Sequence, residues 1–406
     1  MATSTPPGDL TSGAGYGRSR ALGWDDRVAV AVELAERWLL HSGICVPGHA
    51  SAHAGAVYSY YDTRARAHVL LYAEAVGYLL SLCKYLRHLG RAGDWAALGR
   101  AGGAWLLSLA ARPRPALIMG VQDGARIDQV YAFDNGVCCK GLLDLYEMTG
   151  VPAYREHATR LADWLVREAL NDDGSVKPVL DLPSGRFLEN RRAWFMVSGS
   201  FQAKIAIPLL QLATSGGEDY LRRAAARLCQ WATAQQRSDG SFPANRTTAR
   251  VNLHAHLYTV EALLVAYALE GWKEFLTAAE RAVAWVLVRQ RPDGSIPLWT
   301  GGWWTPTATY AVAQAVRVFL LLDLVRPAAR LRDAAAAGAQ FLLQMQARSQ
   351  DPGADGGFYE ERLFAGGLRF RTSPRVTSWA TMFAVQALHL VRDRPARFED
   401  AVKALF

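Results

Sequence analysis

Two carboxylates in apolar surroundings, Glu74 in YAEAVGYLLSL and Asp134 in YAFDNGVCCKGLL, are the first residues of this sequence to suggest proton transfer. A buried carboxylate is costly unless paired, and burial shifts its pKa toward the range a general acid or base needs. A third, Glu261 in NLHAHLYTVEALL, follows Tyr258 by one helical turn, and His254 and His256 precede both. The two histidines are two residues apart and cannot share a helical face, so one is expected to point inward while the other satisfies loop backbone. Aromatic and polar residues accompany them in other segments: Tyr60 and Tyr61 in VYSYYD, Asn135, Arg192 and Trp194 in RRAWF, Trp303, Trp304 and Tyr310 in WTGGWWTPTATY, and Arg375 and Trp379 in PRVTSWATM. Rings that can stack on a pyranose, with polar groups for its hydroxyls, suit a sugar. Glu74 and Asp134, with Glu261 in reserve, would serve as the acid and base of a glycosidase. Tyr258, His256, Tyr310 and Arg192 would instead abstract a proton alpha to a uronate carboxylate and neutralise that carboxylate. Structural readings compete: Glu74 as a hydrogen-bond anchor, and Asp134-Asn135 as a helix N-cap.

These residues need a scaffold that gathers them, and the tryptophans reveal it. AERWLLHSG, GGAWLLSLA, LADWLVREA, LCQWATAQQ and AVAWVLVRQ carry Trp38, Trp105, Trp164, Trp231 and Trp285, and GAQFLLQMQ places Phe341 equivalently. After the last five come Asp123-Gly124, Asp173-Gly174, Asp239-Gly240, Asp293-Gly294 and Asp355-Gly356, tight-turn dipeptides. Each turn leads through a short segment into a second helix that is apolar nearly all round, as a buried helix must be. The Trp helices keep a charged, solvated face. Six outer helices thus alternate with six inner ones. The candidate residues sit where the inner helices begin, and that end of a helix carries partial positive charge. The final ARFEDAVKALF is expected to help close the ring.

The pattern resembles the all-α (α/α)6 toroid of six-hairpin glycosidases, polysaccharide lyases, terpenoid cyclases and protein prenyltransferases. QQRSDGSF and RQRPDGSI resemble the Q-x-x-D-G-[ST]-[WF] turns of the cyclase branch. The helices YAEAVGYLLSL, FDNGVCCKGLLDLYEMTG and TSWATMFAVQAL resemble toroid proteins of bacterial polysaccharide metabolism, the helical domain of glucuronyl C5-epimerases, and unsaturated-glucuronyl hydrolases. The resemblance implies a carbohydrate-active enzyme acting on a saccharide, a uronic-acid-containing one by preference, through hydrolysis, elimination or epimerisation. A terpenoid cyclase or prenyltransferase on an isoprenoid substrate is the alternative. The D-x-D-D and D-D-x-x-D elements of cyclases are absent from the sequence, as is a credible Cys–His zinc set. No metal and no cofactor is expected. A non-catalytic glycan-binding toroid is the remaining alternative, since one scaffold hosts many functions.

Composition sets the outer bounds. Of 406 residues, 51% are hydrophobic, enough for a large core, yet no apolar run reaches the ~20 residues of a membrane span. The net charge of +8 comes from dispersed arginines rather than a basic block, so no nucleic-acid partner is expected. Residues 1–22 read as a polar tail without the features of a secretory leader, and residues 23–406 as one toroid domain. Five cysteines without metal-type spacing point to a reducing cytoplasm. A small-molecule or oligosaccharide substrate is the expected partner; oligomeric state is left open.

Overall fold

The computed structural model describes residues 23–47, 51–216, 218–245, 247–301, 305–366 and 369–406. The expected tail, Trp303 and Trp304 lie outside the described residues. Six helices form an outer layer: α1 (Trp24–His41), α3 (Trp95–Ser108), α5 (Pro152–Trp164), α7 (Asp219–Thr233), α9 (Lys273–Leu287) and α11 (Ala329–Met345). Six alternate with them as an inner layer: α2 (Ala73–His88), α4 (Ala132–Thr149), α6 (Ala206–Gly216), α8 (Leu253–Glu270), α10 (Thr309–Val325) and α12 (Ser378–Arg392). The division follows their patterning. α7 buries Leu221, Ala224, Ala225, Leu228, Cys229 and Ala232, a single stripe at helical spacing. α8 buries every residue from Leu253 to Ala266.

Four of the five Asp-Gly turns pack against the next outer helix, and the turn at Gly124 does not. The Asp239 and Asp293 carboxylates accept the N–H groups of Ser241 and Ser295 at 2.9 and 3.0 Å, closing Asx turns. Gly294, at φ +80°, lies so close to α11 that a Cβ there would stand 1.9 Å from the Ala337 carbonyl oxygen. The Gln290 amide donates to the Gly294 carbonyl at 3.3 Å and to Ala334 of α11 at 2.8 Å. Gln236 repeats this between its own turn and Ala278 of α9. Gln346 repeats it across the seam, donating to Gly356 and, at 2.7 Å, to Ala31 of α1. The last hairpin is therefore latched to the first, and the ring is closed.

Between turn and inner helix the chain forms short strands, where the sequence suggested only irregular segments. Residues Ala67–Tyr72, which run into the first inner helix without a break, are extended and pair with Tyr58–Asp62. Residues 58–62 also pair with Arg375–Thr377, Tyr60 opposite Thr377, so a six-stranded sheet spans the seam. The chain enters α6 through a 3-10 segment, Ser200–Ile205, followed by Pro208, which has no N–H to return to the Lys204 carbonyl. A thirteenth helix, α13 (Phe398–Leu405), expected to help close the ring, lies instead across its inner helices. It packs on α2, α8 and α10 at their far ends, burying Phe398, Ala401, Val402 and Leu405. Its apolar stripe plugs the centre of the ring on the side away from the turns.

Candidate functional site

At the turn-bearing end the inner helices open into a cavity of about 340 Å³. Its wall is aromatic: Tyr72, Tyr131, Phe133, Trp194, Tyr310 and Trp379 contribute, with His254 and Tyr258 beside them. Three carboxyls face it, from Glu74, Asp134 and Glu360. Glu74 stands in the first turn of α2 and Asp134 in the first turn of α4. Asp134 is not the N-cap; Tyr131 occupies that position, and the Asp134 side chain is left for the cavity.

The two carboxyls have different surroundings. Burial pushes the Glu74 carboxyl up, while hydrogen bonds from Tyr72 and Tyr78 and the charge of Lys204 oppose that rise. Burial pushes Asp134 well above the carboxylate range, and the neighbouring Glu74 charge adds to it. The Tyr72 hydroxyl lies beside both, yet Asp134 Oδ2 is buried without a good hydrogen-bond partner among the described residues. The helix N-termini favour ionisation, but only by about 0.3–2 kcal/mol, and burial wins at Asp134. Of the two, Asp134 is pushed further toward its protonated form, and Glu74 is the better supported as a carboxylate. Groups pushed apart in this way take opposite roles in proton transfer.

Below the cavity a charged layer supports its floor. Glu261 is fully buried and accepts from Lys204 Nζ at 2.7 Å and from the Arg317 guanidinium. The Lys204 ammonium also sits 4.2 Å from the centre of the Tyr258 ring. The Tyr258 hydroxyl meets that of Tyr78 at 2.5 Å, and Tyr78 reaches Glu74. Lys204 thus supports Glu261 directly and Glu74 through its charge, a support that Asp134 lacks.

His254 is fixed by the same layer. Gln314 donates its amide N–H to the acceptor-only Glu261 carboxylate at 3.3 Å, so its carbonyl oxygen faces His254 Nδ1. His254 then carries its proton on Nδ1, which leaves Nε2 as the acceptor nitrogen of a ring that lines the cavity. Burial pushes this imidazole down to about 3, so it is neutral at pH 7. Asn252 caps α8 by accepting the Ala255 N–H at 3.0 Å, which sets where the first turn and His254 begin.

The structure brings together Glu74, Asp134, Trp194, His254, Tyr258, Tyr310 and Trp379 from the sequence-derived set. It places the others elsewhere. His256 is fully buried between Phe242 and Trp285; its Nδ1 accepts the Phe242 N–H at 3.2 Å and its Nε2 meets the Ala282 carbonyl at 3.2 Å. With both nitrogens on backbone it holds loop to helix, and the catalytic expectation for it is corrected. Glu261 is an ion-pair anchor under the floor rather than a group facing substrate. Asn135 pins residue 117, accepting its N–H at 2.8 Å and donating to its carbonyl at 3.0 Å, with a further bond to Tyr131. Tyr61 bonds Asp351 at 2.8 Å, and Tyr60 lies under Arg375, 4.7 Å from its ring centre. Arg375 pairs with Glu360 at 3.5 Å, and Arg192 is exposed outside the cavity. Sequence reasoning missed Tyr78 and Glu360. Tyr78 could have been found four residues after Glu74 on one helical face; Glu360, on a segment that joins two strands, left no such signal.

No family model matches the sequence, and no curated protein matches it. Solved structures are similar over nearly the whole chain. Cellobiose 2-epimerase from Bacillus thermoamylovorans B4167 aligns over 89% of this chain and 99% of its own, with a TM-score of 0.72 and 11% identity. Unsaturated glucuronyl hydrolase from Bacillus sp. GL1 aligns over 93% and 99%, at 0.66 and 16%. D-mannose isomerase aligns over 92% and 100%, at 0.72 and 8%. The class that ring and comparisons define is the (α/α)6 toroid, and at these identities the likeness is one of fold.

Proposed function

We propose that this protein is a carbohydrate-active enzyme that works by general acid–base catalysis on a short saccharide in the rim cavity. Asp134 donates the proton, Glu74 is its ionised partner, and the aromatic wall stacks on the sugar ring. The observation that carries this reading is the pair of carboxyls lining one cavity in unequal surroundings: Asp134 is raised by burial and by Glu74, while Glu74 is supported by Tyr72, Tyr78 and Lys204. Such a pair suits hydrolysis of a glycosidic bond, in which one carboxyl protonates the leaving oxygen. The similar toroids, named for action on cellobiose, glucuronyl sugars and mannose, support the substrate class. A second reading, epimerisation or isomerisation at a carbon beside a carbonyl, is favoured by one feature: a neutral imidazole, that of His254 with Nε2 unprotonated, lines the same cavity. Five buried, unpaired cysteines support a reducing compartment, the cytoplasm.

A panel of disaccharides and reducing monosaccharides tests both readings. New reducing ends report hydrolysis, and uptake of solvent deuterium at carbon reports epimerisation. Asp134→Asn and Glu74→Gln should retain folding and sugar binding while turnover falls by about 10²–10⁴. Unchanged turnover in both variants would overturn the acid assignment, and absence of sugar binding by the wild type would overturn the substrate class.

A further inference from the structure

The cavity carries an imbalance that bears on which saccharide it admits. Its described lining includes three carboxyls and no lysine or arginine. The cations nearest to it are already engaged. Lys204 lies under Tyr258 against Glu261, Arg375 is paired with Glu360 at 3.5 Å, and Arg192 points to solvent. Among the polar groups facing the cavity, Asp134 Oδ2 is buried without a partner among the described residues, and the ring of His254, held by Gln314 at Nδ1, lines the wall beside it. Aromatic faces supply the rest of the contact.

From this arrangement we infer that the site selects an uncharged saccharide and rejects one bearing a carboxylate, a conclusion that rests on the carbohydrate reading above and narrows its substrate class. A sugar hydroxyl both donates and accepts, so it can complete the hydrogen bonding of the unpartnered Asp134 oxygen in either form of the carboxyl. A uronate carboxylate brings only further acceptors and a negative charge. It would be desolvated among aromatic rings, a few ångströms from ionised Glu74, with no guanidinium to receive it. At an effective dielectric of about 20 and a separation of about 6 Å, that repulsion weakens binding on the order of a hundredfold. Glu360 already shows the same pressure, its carboxyl pushed up by burial despite Arg375. The discrimination therefore depends on Glu360 keeping Arg375 occupied.

Calorimetry with cellobiose and with its counterpart carrying glucuronate at the non-reducing end, at a pH where the uronate is ionised, tests the inference. Wild-type protein should bind cellobiose and bind the uronate at least tenfold more weakly. Glu360→Gln frees the Arg375 guanidinium and should raise uronate affinity about tenfold relative to cellobiose. Arg375→Gln leaves Glu360 uncovered and should weaken the uronate further. Equal or tighter uronate binding by the wild type overturns the inference and leaves the carbohydrate reading standing, as does indifference of both variants. Failure to bind either sugar overturns both.

Discussion

Glu261 separates a structural from a catalytic role most sharply. Glu261→Gln keeps the side-chain volume and removes one negative charge from a fully buried layer in which Lys204 stands 2.7 Å away and Arg317 contacts the other oxygen. Breaking a buried pair by removing one partner costs about 3–5 kcal/mol, because the remaining charge is left uncompensated. A domain stable by about 5–15 kcal/mol feels a loss of that size throughout its urea transition. The loss should also depend on pH. Burial pushes Glu261 up, but Lys204 and Arg317 outweigh it and hold the carboxyl below its ordinary value. Its contribution is therefore present above the unfolded carboxylate pKa and lost as pH falls through the folded one. In the variant, Lys204 loses its main support. Burial already lowers its pKa, and without Glu261 it falls further. The folded variant then sheds that proton while the unfolded chain keeps it, so stability relative to wild type recovers as pH rises from neutral toward the unfolded lysine pKa. Urea denaturation at neutral and alkaline pH checks both points, and Glu261→Gln combined with Lys204→Met should recover part of the loss. A cost under about 1 kcal/mol, independent of pH, with turnover abolished would refute this account and return Glu261 to the catalytic set.

Three further outcomes are expected. The rate should fall as pH rises through the Asp134 pKa, since the acid must be protonated; Glu74→Gln removes a charge that raises that pKa, so any residual activity should lose its alkaline limb at lower pH. His256→Phe leaves the Phe242 N–H and Ala282 carbonyl unpaired and should cost about 1–3 kcal/mol in thermal unfolding with turnover intact, whereas His254→Phe should spare stability more than activity. Gly294→Ala must both hold a left-handed φ, about 1–2 kcal/mol, and displace the α11 backbone. Gly124→Ala, at φ +79° with nothing within 4 Å, carries only the first cost, so calorimetric melting should separate the two.

Much of the scaffold was legible because its signals are local. The α7 stripe and the all-round apolarity of α8 are periodicities of the chain itself, and the Asp-Gly that follows five of the six outer helices marks a turn wherever it occurs. The strands at the rim were not legible. Residues 67–72 border a helix without a break, and only pairing with 58–62 makes them extended. Glu74 and Asp134 could be singled out because a carboxylate in an apolar helix is anomalous in any fold.

The sequence by itself determined the alternation of solvated and buried helices, hence a double ring, and the turn chemistry that latches it. Tertiary structure alone decided which carboxylates face the cavity and which of two histidines two residues apart enters it. It also turned Glu261 downward between Lys204 and Arg317. The physical reason is range. Patterning and turns act over a few residues, whereas a pKa, a tautomer or an ion pair is set by groups that the chain brings together from 50 or more positions away, as Lys204 and Glu261 are.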